Sequence, residues 1–241
     1  MNDVSSHPAG GGHRPSGKAG TPRGVRTREH ILDVAERRWG ERGVEGVSLR
    51  EIRIAAGQRN SSALQFHFGG RDGLLRALSE RHLPRVATLQ EGLYGALVAD
   101  GRHHDVAELV EVLMRPHAEY LRRGPSERAW VKVCAELAAR PDVALADVLS
   151  EAPAIALHVG ATVHEHLAAS MGPDLALERI MAVTSACNHL CADRARAEDA
   201  AGLDPGGVRP LLPFDDWLGN YLDMAVAAML APARTRHEVE R

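Results

Sequence analysis

The chain has 241 residues, 44% hydrophobic and 25% charged, with a formal net charge of −3. These fractions exclude a wholly disordered chain, a collagen-like repeat or a membrane bundle, and there is no apolar run of about 18 residues. Three cysteines argue against a disulfide scaffold and fit a reducing cytoplasm, and Met1 to Pro22 lacks the apolar stretch of a secretory signal.

Charge is distributed unevenly. Residues 1–85 hold 15 Lys+Arg against 9 Asp+Glu, and residues 86–241 hold 14 against 23. A basic first third suits a polyanion, because each cation near a phosphate releases condensed counterions. The acidic remainder would be repelled by the same partner. An excess of six charges also falls within the scatter of ordinary domains, so charge alone leaves the question open.

Residues 1–24 are rich in Gly, Pro, Ser and His and are expected to form a disordered arm, basic or inert. Thr27 is then read as an N-cap, with Ile31, Val34, Ala35 and Trp39 at helical spacing and Gly43 as the stop. Ser48 with Glu51 forms a capping-box pattern that predicts a short helix over 49–56, ended by Gly57. A turn over Gln58-Arg59-Asn60 leads to a third short helix over 61–66, closed by Gly69-Gly70. Arg71-Asp72-Gly73 opens a longer helix carrying Leu74, Leu75, Leu78 and Leu83. Two short helices joined by a glycine-containing turn are the helix-turn-helix plan. An α-helix about 10–12 Å wide fits a major groove about 12 Å wide.

Further helices are predicted over 85–99, 105–123, 126–139, 143–170, 174–197 and 214–231. Pro84, Gly101, Gly124-Pro125, Pro141 and Gly172-Pro173 punctuate them, and Pro153 is expected to break or kink its span. The chain is therefore read as all-α: an arm (1–24), a three-helix DNA-binding domain (25–72) and a larger helical ligand-binding and dimerisation domain (73–241).

The segments Thr27–Ala35, Glu41–Ile52, Ala56-Gly57 and Phe66–Leu75 together resemble the DNA-binding domain of the TetR/AcrR family of bacterial repressors. The resemblance covers about residues 25–78. It implies a cytoplasmic, non-enzymatic transcriptional regulator, a ligand-responsive repressor that binds double-stranded DNA at a palindromic operator as a homodimer. Three departures stand out. Arg53 occupies the usual place of an alanine and would loosen the helix pair unless its guanidinium turns outward. The turn Gln58-Arg59-Asn60-Ser61 is one residue longer than the common form. Gln65-Phe66 replaces a frequent tyrosine pair.

The resemblance places Ser61, Ser62, Gln65, Phe66 and His67 on the recognition helix. By chemistry, Gln65 and Asn60 suit adenine edges, Arg59 suits guanine and Phe66 a thymine methyl. Thr27, Ser48, His67 and Arg71 suit phosphates. Ser48 and Asn60 read equally well as plain caps, His67 as a cap on the third helix, and Phe66 and Phe68 as core. Arg37, Arg38 and Arg42 read as a solvated face.

The family plan puts the dimer on the last two long helices. Leu175, Leu177, Ile180, Met181, Val183, Thr184, Cys187 and Leu190 mark one apolar stripe. Trp217, Leu218, Tyr221, Leu222, Ala225, Val226 and Met229 mark the other. Pattern alone does not separate core from interface. A small-molecule effector, its identity open, is expected among Met114, His117, Tyr120, Trp130, Cys134 and Leu137. An ordinary core explains the same residues. No metal or other cofactor is expected: Cys187-x-His189-x-Cys191 puts its histidine off the cysteine face, and no CxxC is present. The alternatives are a helical enzyme, for which no nucleotide or nucleophile motif is found, and a protein-binding adaptor that has lost DNA binding.

Overall fold

The computed structural model describes residues 21–140, 152–203 and 211–233. Helix α1 spans Pro22–Arg42, six residues longer at its start than Thr27 as a cap would allow. Thr21 is the cap, its Oγ1 accepting from the Gly24 N–H at 3.2 Å, and Pro22 follows where its missing N–H costs nothing. Thr27 lies inside the helix and donates to the Arg23 carbonyl at 3.0 Å. Residues 22–24 therefore belong to α1 and not to an arm, while residues 1–20 lie outside the described part. At the other end Gly43, with φ +82°, donates to the Trp39 carbonyl and stops the helix as expected.

Helix α2 (Leu49–Ala55) carries the full capping box of Ser48 and Glu51. Helix α3 spans Ala63–Phe68, two residues later than the pattern suggested, and ends on Gly69 at φ +71°. The delay comes from Asn60. Its Oδ1 accepts from the Ser62 N–H at 2.9 Å and its carbonyl from the Ala63 N–H at 3.2 Å. These bonds build a turn ahead of α3, so Asn60 acts as a turn former and not as the helix cap.

Helix α4 (Arg71–Ala99) is continuous, correcting the expected break at Pro84. Pro84 and Glu80, whose carbonyl loses its helical partner, are both exposed, so the break in the ladder falls on the solvent side of the helix. The expected boundary between the two domains falls in the first turn of this helix, which runs from the head into the body. Helix α5 (Val106–Tyr120) is capped by Asp105 and followed by a 3-10 turn at Leu121–Arg123. Helix α6 spans Pro125–Ala138.

Helix α7 (Ala154–Met171) begins directly after Pro153. The expected helix over 143–170 is thus interrupted at Pro153, which stands at a helix start, and its part before residue 152 lies outside the described residues. Helices α8 (Pro173–Leu203) and α9 (Phe214–Leu230) complete the body. A single apolar core runs from Ile31 to Met229. Helix α6 packs on both α1 and α8, and α5 packs on α4, α7 and α9. The crossing of α1 and α6 is close: a Cβ on Gly40 would lie 2.5 Å from that of Ala129.

Candidate nucleic-acid interface

Helix α3 has two faces. Ala63, Leu64 and Phe68 are buried and fix it to the head, where the Arg28 guanidinium lies 5.1 Å above the Phe68 ring. Ser61, Ser62 and Gln65 are exposed, and His67 is half-buried. Phe66 is 83% exposed, which corrects its reading as core while Phe68 fits that reading. A Phe side chain left in water forgoes about 1.5–3 kcal/mol of burial. Its ring lies 5.1 Å from that of His67, centroid to centroid, in a T-shaped arrangement. His67 does not close the helix; the Gly69 N–H does so on the Gln65 carbonyl at 2.9 Å.

The turn before α3 adds Arg59 and Asn60, both exposed. Arg53 is half-buried and donates to the Gln58 carbonyl at 2.7 Å and to the Arg59 carbonyl at 3.4 Å. The guanidinium thus bonds the turn that joins the two helices. Arg59, Asn60, Ser61, Ser62, Gln65 and Phe66 form one continuous exposed surface along the turn and α3.

The other candidates lie elsewhere. Ser48 is exposed at the start of α2, its hydroxyl accepting from the Glu51 N–H at 3.2 Å and donating to Glu51 Oε2 at 2.8 Å. Glu51 also accepts from the Ser48 N–H and from Arg42, at 2.8 Å each. The Ser48 backbone and the Arg42 side chain hold this carboxyl down at about 2. Thr27 sits half-buried in α1. Arg71 turns inward: it donates to the Val44 carbonyl and to the Val47 carbonyl at 3.2 Å. It therefore locks the α1–α2 turn, a role its position at a helix start did not reveal. On the same turn the Val44 N–H donates to Glu136 of α6 at 2.6 Å.

A buried polar cluster joins this head to the body. The Glu36 carboxylate of α1 accepts from Arg81 at 2.9 Å and Ser126 at 2.7 Å, and lies 2.6 Å from His82 Nε2. His82 Nδ1 lies 2.7 Å from the Tyr120 hydroxyl, and the imidazole stacks on Trp130 at 5.1 Å. Burial opposes the charge on Glu36, but His82 and Ser126 outweigh it and hold its carboxyl below the usual range. Sequence reading missed this cluster. The available signal was a glutamate set between Leu32 and Trp39 on the apolar stripe of α1.

Two of the six expected pocket residues, Tyr120 and Trp130, therefore pack around this cluster. Met114 is buried, its carbonyl accepting from the Tyr221 hydroxyl at 3.3 Å. Burial lowers the pKa of His117 and raises that of Cys134. None of the six lines the cavities of about 490, 530 and 540 Å³ that open elsewhere among the described residues. The described residues contain no group of three metal-ligating side chains and no helix long and apolar enough to cross a membrane.

Residues 31–78 match the family of bacterial regulatory proteins, tetR family. The head is a tetR-family domain. The chain thus carries the DNA-binding domain of that family at its head. The matched residues run from Ile31, mid-way along α1, to Leu78 in α4, and so include the exposed residues of the turn and α3. Among solved structures, the crystal structure of a gamma-butyrolactone receptor (ArpA-like protein) is similar to it. That protein is 24% identical, with 86% of this chain and 98% of that chain covered, at a TM-score of 0.40. No curated protein matches the chain.

Proposed function

We propose that this protein is a ligand-responsive repressor that binds a palindromic operator as a homodimer. The observation that carries the reading is the exposed row Arg59, Asn60, Ser61, Ser62, Gln65 and Phe66, projected from a helix whose opposite face is anchored in the head. Gln65 and Arg59 read base edges, Phe66 packs on a thymine methyl, and the helix starts near Ser48 and Ser61 take phosphates. The adaptor alternative rested on Arg53 opening the helix pair, and the bonds of Arg53 to the turn support the opposite.

A homodimer is supported by apolar side chains left in solvent on the last two helices. Leu175, Leu177, Met181 and Leu190 on α8 and Met224 on α9 are each more than a third exposed. Two copies joined there would present two α3 helices to half-sites one turn, about 34–36 Å, apart. Met224→Arg is expected to leave the monomer folded and abolish the dimer, read by sedimentation, with operator affinity falling by at least tenfold.

Effector control is supported by the cleft of about 540 Å³ between α1 and the body, lined by Asp33, Glu36 and Arg37 on one side and by Arg128, Lys132 and Asp199 on the other. A ligand that prefers one spacing of these helices shifts the population of DNA-competent heads. The deciding experiment is selection of duplexes from a randomised library, followed by a mobility shift across a salt series. A two-fold symmetric consensus, bound less tightly as salt rises, is the expected result. Absence of any enriched duplex at low salt would overturn the reading.

A further inference from the structure

We infer that Arg53 is the positioning residue of the recognition surface: its guanidinium holds the lengthened turn so that Arg59 and Asn60 are presented in one fixed register. The inference rests on the DNA-contact reading above and adds to it a residue that itself touches no base.

The connection from Ala56 to Ser62 is long for so small a pair of helices. Of α2 only Ile52 is buried, and of α3 only Ala63, Leu64 and Phe68. Apolar contact across the turn is therefore slight, and polar bonds must set its shape. Arg53 supplies them from both of its ends. Its carbonyl accepts from the Gln58 N–H at 3.0 Å, and its guanidinium donates to the Gln58 carbonyl at 2.7 Å and the Arg59 carbonyl at 3.4 Å. Gln58 is thus bracketed by a single residue. The Gln58 side chain adds a bond to the Ala56 carbonyl at 3.0 Å. Gly57, at φ +65°, makes the bend between them. A guanidinium in the last turn of α2 also faces the negative end of that helix. The next residues outward are the exposed Arg59 and Asn60, so an error in the Gln58 backbone is carried straight into the groove-facing side chains.

The test uses the full-length protein and a duplex enriched by the wild-type chain from a randomised library, with an unrelated duplex of equal length as reference. Arg53→Ala and Arg53→Met are expected to reduce the ratio of the two affinities about tenfold, and Arg53→Lys, which keeps one donor group, to restore part of it. The slope of log affinity against log salt is expected to stay unchanged, because Arg53 neutralises no phosphate. Hydrogen exchange is expected to quicken at residues 57–62 and to stay slow in α1 and α4, which shows that the head is folded. An unchanged ratio in Arg53→Ala overturns the inference. So does a slope lower by about 0.9, the signature of a lost phosphate contact. If the wild-type chain enriches no duplex, the contact reading itself falls, and the inference with it.

Discussion

Glu51 shows how much one exposed side chain can organise. It receives the Ser48 N–H, the Ser48 hydroxyl and the Arg42 guanidinium, and Arg42 also bonds the Gly46 carbonyl at 2.7 Å. One carboxylate thereby ties the end of α1 to the start of α2. Its pKa falls to about 2 in the fold, from an ordinary value of 4.5. A carboxylate with a depressed folded value stabilises the protein above its unfolded value, and that contribution is lost as pH falls from 4.5 toward 2. Urea melts of Glu51→Gln are expected to show lower stability than wild type at pH 7 and a smaller difference near pH 3. Ser48→Ala removes the cap itself and is expected to cost about 1 kcal/mol at neutral pH.

At the scale of elements, α4 is the part that joins head to body. Its first turn carries Arg71, which holds the α1–α2 turn, and its middle carries Arg81 and His82, which face Glu36. A proline in the interior of such a helix normally costs about 3 kcal/mol or more. Pro84 is tolerated because it and Glu80 face solvent, yet one backbone bond is still missing. Pro84→Ala is therefore expected to stabilise the protein by about 1–3 kcal/mol, read as a rise in the denaturant midpoint. No change would mean that the ring contributes contacts equal to the lost bond. The α1–α6 crossing at Gly40 and Ala129 is a second constraint of this kind. A Cβ there would clash with Ala129, so the crossing admits only glycine.

Across the whole molecule, the head is held to the body by polar bonds as well as by the core. Glu36 binds α1 to α4 and α6, and Glu136 of α6 holds the Val44 N–H. Glu36→Ala would leave His82 buried without its carboxylate and remove one of the three acidic partners of Arg81, the others being Glu29 and Asp33. Breaking a buried charged contact on one side typically costs about 3–5 kcal/mol. That loss is expected in guanidinium melts of Glu36→Ala. A value under about 1 kcal/mol would show that the cluster is neutral overall. Because α6 bonds the α1–α2 turn at Val44, packs on α1 and lines the cleft opposite it, displacement of α6 would reach the start of α2.

Sequence alone determined what is local. The Ser48–Glu51 box, the Gly43 stop, the Asp105 region as a helix start and the helix-turn-helix order all depend on partners within about four residues, so the pattern of caps and apolar spacing shows them directly. The exposed placement of Ser61, Ser62 and Gln65 followed from the resemblance. Tertiary structure decided the rest. Phe66 and Phe68 differ by only two positions in a six-residue helix, and which ring faces the core depends on where Leu64 docks. Arg71 reaches a carbonyl 27 residues away, His82 a carboxylate 46 away and Val44 a carboxylate 92 away. Whether apolar side chains enclose space or fill it is set by how separate helices meet, and no spacing within one helix encodes that.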